Sequence, residues 1–129
     1  MSNLDTLKDM GQSIVDALEN DVLGFTVAKG ELTVTARADR IVAILTALRD
    51  ESHFKFVQLT DICGVDYPER LKRFDVVYHV LSLKNNMRVR IKVEADDEVP
   101  VPSVVEVYPA AGWYEREAWD MFGIEFKGH

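Results

Sequence analysis

The residues of this chain that could do chemistry concentrate near its C-terminus, in a segment that mixes acids, an arginine and large aromatics. Two of the acids, Glu115 and Glu117, could be imagined as a general acid–base pair. Helical spacing turns Glu117 well away from Glu115, and Asp120 is better placed for an ion pair with Arg116. No nucleophile, glycine-rich phosphate loop or hydride-cofactor fingerprint accompanies these acids. We therefore expect neither catalytic nor cofactor-binding residues in the chain.

The same segment predicts a short amphipathic helix. At about 100° per residue, an apolar arc is formed by Tyr114, Ala118, Met121 and Phe122, and is extended by Trp119. Glu115 falls inside this arc, whereas the other charged residues lie opposite. A carboxylate among aromatic rings must be paired, because removing a lone charge from water is costly. We expect its partner to be an arginine of the same domain or a group on another chain.

The single cysteine and the histidines have no metal-like spacing. Cys63 lies in a predicted strand, where a lone thiol usually behaves as a small apolar residue. His79 shares a strand face with Val77 and Leu81, which favours a packed, hydrogen-bonded imidazole. Without paired His and Cys ligands we expect no structural zinc site. One cysteine also excludes an internal disulfide and a cluster built from several local thiolates.

Asp61 is a second acid on an apolar strand face, in phase with Leu59, Cys63 and Val65. It is either an enclosed, paired acid or an acid that an irregularity of the strand near Gly64 turns outward. The pattern leaves both alternatives open.

A row of cations lines one face of a later strand, since Arg88, Arg90 and Lys92 alternate with apolar residues. A solvated face would explain this pattern. The alternative is that the row neutralises Glu115, Asp61 or the acids of a partner protein.

The elements that position these residues begin with helices and a hairpin. Helical spacing predicts a first helix over 4–18, with Ser2 or Asn3 as its N-cap, and a second helix capped by Asp39. Between the two helices, two apolar runs joined across a glycine predict a β-hairpin.

The second half of the chain is predicted to supply strands and terminal helices. Apolar patterning predicts strands over 56–65, 74–83 and 87–93. The first is interrupted near Gly64, the second is apolar on both faces, as in a central strand, and the third alternates apolar with charged residues. The acidic, proline-containing segment 96–102 is typical of a loop. Ser103 and Glu106 match a capping box and predict a short helix before the C-terminal one. This order predicts an α+β two-layer domain with a mostly antiparallel or mixed sheet.

Composition limits what the chain can do. At 129 residues it is one domain by length. A net charge of −7 argues against non-specific nucleic-acid binding, which requires a basic surface. No apolar run approaches the ~18 residues of a membrane-spanning helix, so we expect no direct membrane insertion.

The C-terminal motif resembles a known family signature. Glu115-Arg116-Glu117, followed by Asp120 and then His129, is similar to the signature of the 30 kDa subunit family of respiratory complex I, which in bacteria is the C subunit of NADH-quinone oxidoreductase. Upstream matches lie over 59–67, 73–79 and 100–104. The family normally continues past this histidine into a basic, proline-rich tail. We therefore expect residues 1–129 to form one such domain without that tail.

The resemblance implies a structural and assembly subunit in the peripheral arm of a proton-pumping NADH-quinone oxidoreductase. It implies docking to the 49 kDa (D) subunit, and a peripheral location on the cytoplasmic side of the bacterial inner membrane. FMN, iron–sulfur clusters and quinone are expected in the complex, and none of them on this chain. The signature and interface residues that the resemblance marks are Trp113, Glu115, Arg116, Glu117, Trp119, Asp120, Phe122, Gly123 and His129.

Two alternatives accompany this interpretation. The same kind of domain occurs in membrane-bound hydrogenases, formate hydrogenlyase and complexes that accept electrons from ferredoxin. A stand-alone hydrolase that uses Glu115 with Glu117 is the third class of protein considered.

Overall fold

The computed structural model describes residues 3–128, which form three helices, a five-stranded sheet and a separate two-stranded ladder. The helices are α1 (Asn3–Ala17), α2 (Ile41–Asp50) and α3 (Ala111–Phe122). The large sheet contains β1 (Val22–Ala28), β2 (Glu31–Ala36), β3 (Gln58–Asp66), β4 (Phe74–Ser82) and β5 (Met87–Ala95). The ladder consists of β6 (Val101–Pro102) and β7 (Phe126–Lys127).

The sheet has the strand order β1-β2-β5-β4-β3. Its neighbouring strands run antiparallel except β2 and β5, which are parallel. The connection between these two strands contains α2, β3 and β4. A continuous apolar core joins the helices to one face of the sheet, which we call the inner face. The other side is the outer face. This arrangement confirms the predicted α+β two-layer fold.

Burial of apolar side chains holds α2 on the inner face. Its fully buried residues are Ile41, Ile44, Leu45 and Leu48. Burying each such side chain contributes about 2 kcal/mol, compared with about 1 kcal/mol for a helix cap. Asp39 does not cap this helix as predicted, because its carboxylate pairs with Arg37 at 3.0 Å and a single 3-10 turn over Ala38–Arg40 leads into α2. At the start of α1, Asn3 is already helical, and Ser2 lies outside the described residues.

An irregularity in β3 determines on which face of the sheet Asp61 lies. The pairing of β3 with β4 shifts register between Leu59 and Asp61, which leaves Thr60 as an extra residue. The Thr60 hydroxyl donates a hydrogen bond to the His79 carbonyl oxygen at 3.1 Å. Leu59 therefore enters the core, and Asp61 lies half-buried on the outer face. Asp61 is turned outward, but the irregularity lies at Thr60 rather than near Gly64.

Residues 103–108 form a turn, and the predicted capping-box helix is wrong. Two successive N–H groups at the end of this turn donate to the Val104 carbonyl oxygen. The Ser103 hydroxyl accepts a hydrogen bond from the Val105 N–H at 3.3 Å, as a cap would, and also donates to Glu115 at 2.7 Å. Glu106 is exposed. The serine part of the predicted box therefore forms, but the turn does not continue as a helix, because Pro109 has no N–H to donate.

The absence of a side chain at Gly64 allows the end of α3 to lie directly on the sheet. A Cβ atom at Gly64 would lie 2.8 Å from Cδ2 of Phe122 and 3.0 Å from Cδ1 of Ile124. The Phe122 ring also packs against Phe74, with their centroids 6.5 Å apart. Phe122 therefore occupies the space that a larger residue at position 64 would need.

We expect Gly64→Ala to lower the free energy of unfolding by about 1–3 kcal/mol, because the added methyl group displaces the Phe122 ring. Adding Phe122→Leu should recover part of that loss, since the smaller side chain makes room. Urea unfolding of the wild type, both single variants and the double variant measures the coupling. Strictly additive effects would contradict the contact.

Candidate functional site

The side chain of Glu115 projects from α3 into the interior and is only 1% exposed. One carboxylate oxygen accepts a hydrogen bond from the Ser103 hydroxyl at 2.7 Å, and the other accepts from the Val104 N–H at 2.8 Å. The enclosure that helical spacing predicted is thus confirmed. The expected partner is wrong, because two uncharged donors just before α3 hold the carboxylate, rather than an arginine or a second chain.

The two-stranded ladder keeps these donors in place. The Val101 N–H donates to the Glu125 carbonyl at 2.9 Å, and the Ser103 N–H donates to the Lys127 carbonyl at 2.8 Å. Because β6 precedes α3 and β7 follows it, the ladder joins the two ends of the segment that contains the helix. The sequence assigned 96–102 to a loop, since a two-residue strand is too short to show alternation.

Gly123 ends α3 and turns the chain back toward β7. Its φ of 74° is left-handed, a conformation that glycine adopts without a steric penalty. Its N–H donates to the Trp119 carbonyl oxygen at 2.8 Å, which satisfies one of the free acceptors at the helix end. The glycine of the motif therefore has a structural role in this chain.

Tyr78 is a polar group of the core on which the charge of Glu115 acts. It lies on β4, is fully buried, and its hydroxyl makes no hydrogen bond within residues 3–128. Burial raises the pKa of Tyr78, and the Glu115 carboxylate raises it further. A neutral phenol and a hydrogen-bonded carboxylate therefore share one region of the interior.

The aromatic residues of the C-terminal segment divide between core and surface. Tyr114, Phe122 and Phe126 pack against the core. Trp113 and Trp119 are 69% and 51% exposed. The apolar arc predicted for the helix therefore reaches the interior only in part, and Met121, at its edge, is 75% exposed.

A groove lies beside the exposed part of α3. Its volume is about 340 Å³, and its lining includes Arg116, Trp119, Phe126 and Lys127. Nε of Arg116 lies 3.6 Å from a carboxylate oxygen of Asp120, which confirms the predicted pairing. Both side chains are more than half exposed, so this ion pair contributes little to stability. Aromatic and arginine side chains at an exposed groove are typical of protein–protein contacts.

The outer face brings His79 close to Asp61 and Cys63, two residues that the sequence had placed on one face of a strand. One ligand-type atom from each of Asp61, Cys63 and His79 lies within 4.8 Å of the others. The Cys63 thiol donates to an Asp61 carboxylate oxygen at 2.7 Å. Asp61 is directly paired with His79 on the neighbouring strand. Pairing between two strands creates this cluster, and local spacing along the chain cannot reveal it.

The row Arg88, Arg90 and Lys92 lies on the same outer face, because the residues between them point into the core. It therefore does not neutralise Glu115, which is on the other side of the sheet. The side chain of Arg90 lies 3.7 Å from that of Glu31, on β2. The alternative in which this row of cations neutralises Glu115 is therefore wrong.

The outer face lowers the reactivity of its cysteine. Burial and the hydrogen bond to Asp61 raise the pKa of the Cys63 thiol to about 11. Burial lowers the pKa of His79, and the charge of Arg90 lowers it further. At neutral pH Cys63 is therefore a thiol rather than the thiolate that a nucleophile requires.

The two acids that were considered as an acid–base pair lie in different environments. Glu115 is buried and bonded to backbone and hydroxyl donors, whereas Glu117 is exposed. His129, the last signature residue, lies outside the described residues.

Between residues 3 and 128, no helix has both the length and the hydropathy needed to cross a membrane.

These features define a class of protein. It is a small α+β domain in which a buried carboxylate fixes a short helix to the core, while two tryptophan side chains of that helix are exposed. The family model for the respiratory-chain NADH dehydrogenase 30 kDa subunit matches residues 34–129. The chain belongs to this family.

Curated relatives agree with that assignment. The C subunit of NADH-quinone oxidoreductase from Maricaulis maris is 52% identical over 125 residues, covering 97% of this chain and 62% of the relative. The same subunits of Paramagnetospirillum magneticum and Caulobacter vibrioides are 54% and 56% identical, over 95% and 97% of this chain. The chain spans 62% and 63% of these two relatives.

We expect Glu115→Ala to lower the free energy of unfolding by about 3 kcal/mol, because it leaves the buried Val104 N–H without an acceptor. The matched control is Glu117→Ala, an exposed acid of the same helix, which should change stability by less than about 0.5 kcal/mol. Glu115→Gln should fall between them, since an amide can still bond both groups. Equal stability of the two alanine variants in urea unfolding would contradict the anchoring role.

Proposed function

We propose that this chain is a structural and assembly subunit in the peripheral arm of a proton-pumping NADH-quinone oxidoreductase, and that it docks to the 49 kDa (D) subunit. The family membership and the names of the relatives support the choice of complex. The single structural observation that supports docking is α3, whose outer aromatic residues are exposed while Glu115 fixes the helix from inside.

The mechanism that we propose is geometric. The hydrogen bonds of Glu115 and the two-stranded ladder fix the position of α3 before any partner binds. A preorganised surface loses less conformational entropy on association than a flexible one. The neighbours of this subunit would then be held at a defined separation, which electron transfer between their redox centres requires.

In this proposal the electron carriers belong to other subunits. FMN, iron–sulfur clusters and quinone would be bound elsewhere in the complex, and this chain would carry none of them. Its single cysteine supports this view, because iron–sulfur clusters are commonly held by four thiolates. The proposed location is peripheral, on the cytoplasmic side of the bacterial inner membrane, where neighbouring subunits hold the chain.

The related machines considered above, such as a membrane-bound hydrogenase or formate hydrogenlyase, would use the domain in the same way. The relatives' names favour NADH-quinone oxidoreductase over these. The environments of Glu115 and Glu117 likewise disfavour the hydrolase alternative.

We expect Trp119→Ala to weaken association with the 49 kDa subunit by about 30-fold or more, the effect of losing a central aromatic anchor. The matched control is Leu71→Ala, since Leu71 is an exposed apolar residue in the β3–β4 connection, away from α3. Both variants should unfold like the wild type. Native gels and mass spectrometry of the tagged chain purified from its host measure the bound 49 kDa subunit. Wild-type assembly of the Trp119 variant would overturn the docking proposal.

A second expectation concerns colour. The purified chain should show no visible absorption band, because no flavin or iron–sulfur cluster is bound to it. The absorption spectrum and an iron and sulfide determination check this directly. A stoichiometric flavin or cluster would contradict the proposal that the electron carriers lie only on other subunits.

A further inference from the structure

We infer that Asp61, Cys63 and His79 form a binding site for a zinc-class divalent cation on the outer face of the sheet. The three side chains offer one oxygen, one sulfur and one nitrogen ligand, and the ligand atoms lie within 4.8 Å of one another. This combination of donors suits Zn²⁺, which binds thiolate, imidazole and carboxylate in tetrahedral sites.

The geometry needs only small side-chain movements to hold an ion. Zinc–ligand bonds of about 2.0–2.3 Å place tetrahedral donors about 3.5 Å apart. The Cys63 sulfur and the nearer Asp61 oxygen are now 2.7 Å apart, joined by the thiol proton. An ion between them replaces that proton, which is released to solvent as the thiolate forms. Side-chain rotations then bring His79 to the same centre.

The pairing of β3 with β4 positions the three ligands. Asp61 and His79 are directly paired residues of β3 and β4, and Cys63 is the next outward-facing residue along β3. The register shift at Thr60 is what puts Asp61 on this face. The same extra residue that removes Asp61 from the core therefore completes the ligand set.

The charges around the site favour a cation over an anion. The acids that act electrostatically on Cys63 or His79 are Asp61, Glu31 and Glu117, and the opposing cation is Arg90. Arg90 lies 3.7 Å from Glu31, so part of its charge is already compensated. The ligands are half-buried, which leaves a path for the ion and a fourth coordination position for water.

The consequence is a cross-link between two strands that does not depend on redox chemistry. Zinc has no redox activity in proteins, so this site is compatible with a subunit that carries no electron transfer centre. The ion would bridge β3 and β4 on the side of the sheet opposite Glu115. The inference is independent of the proposed docking of α3, and either can fail without the other.

The experiment uses the full 129-residue chain, freed of metal and titrated with Zn²⁺ against a chromophoric chelator. We expect one equivalent to bind, and binding to weaken by more than about 100-fold in Cys63→Ser and in His79→Asn. His53→Asn is the matched control, because His53 is exposed and is not one of the three clustered ligands. It should bind zinc as the wild type does.

Substitution by Co²⁺ gives a readout that does not depend on variants. A thiolate-to-cobalt charge-transfer band together with tetrahedral visible bands would support ligation by Cys63, even if Cys63→Ser fails to fold. No binding by the folded wild type, or an octahedral cobalt spectrum without the charge-transfer band, would overturn the site. So would binding by His79→Asn that equals that of His53→Asn.

Discussion

The structure depends most on one buried carboxylate. Glu115 is the point at which α3, the turn that follows β6 and the inner face of the sheet meet, and its two hydrogen bonds connect elements that share no continuous backbone ladder. A buried acid without donors would destabilise the domain by several kcal/mol. Here the desolvation cost is offset by one hydroxyl and one backbone N–H, donors that need no counter-charge and that the turn supplies.

Because Glu115 fixes α3 to the core, different aromatic residues of this segment can serve for core packing and for contact with a partner. Phe122 and Tyr114 pack against the core, whereas Trp113 and Trp119 remain outside. The outer side chains are therefore not needed to hold the helix in place. An exposed surface of this kind can be altered without unfolding the domain, which is the property that a docking surface requires and that a core lacks.

The sequence was sufficient for the larger elements and for the position of Glu115, because both follow from periodicity. The strands and the first two helices show regular apolar spacing, and Glu115 lies among aromatics at helical intervals. Contacts between distant segments were not accessible in this way. The Ser103 hydroxyl was assigned to a local cap, and spacing gave no sign of the hydrogen bond that it also donates to Glu115, 12 residues later. The cluster at Cys63 likewise depends on strand register, which a pattern of alternating residues cannot provide.

The extra residue in β3 determines on which face every later side chain of the strand lies. Leu59 and Asp61 oppose neighbouring residues of β4, so a deletion of Thr60 would leave them as neighbours in a regular ladder and keep all later side chains on their present faces. If Thr60 instead took a paired place opposite His79, Asp61 and Cys63 would move into the apolar interior and Ile62 would move out of it. The strand can therefore lose its extra residue, but it cannot absorb that residue into the ladder.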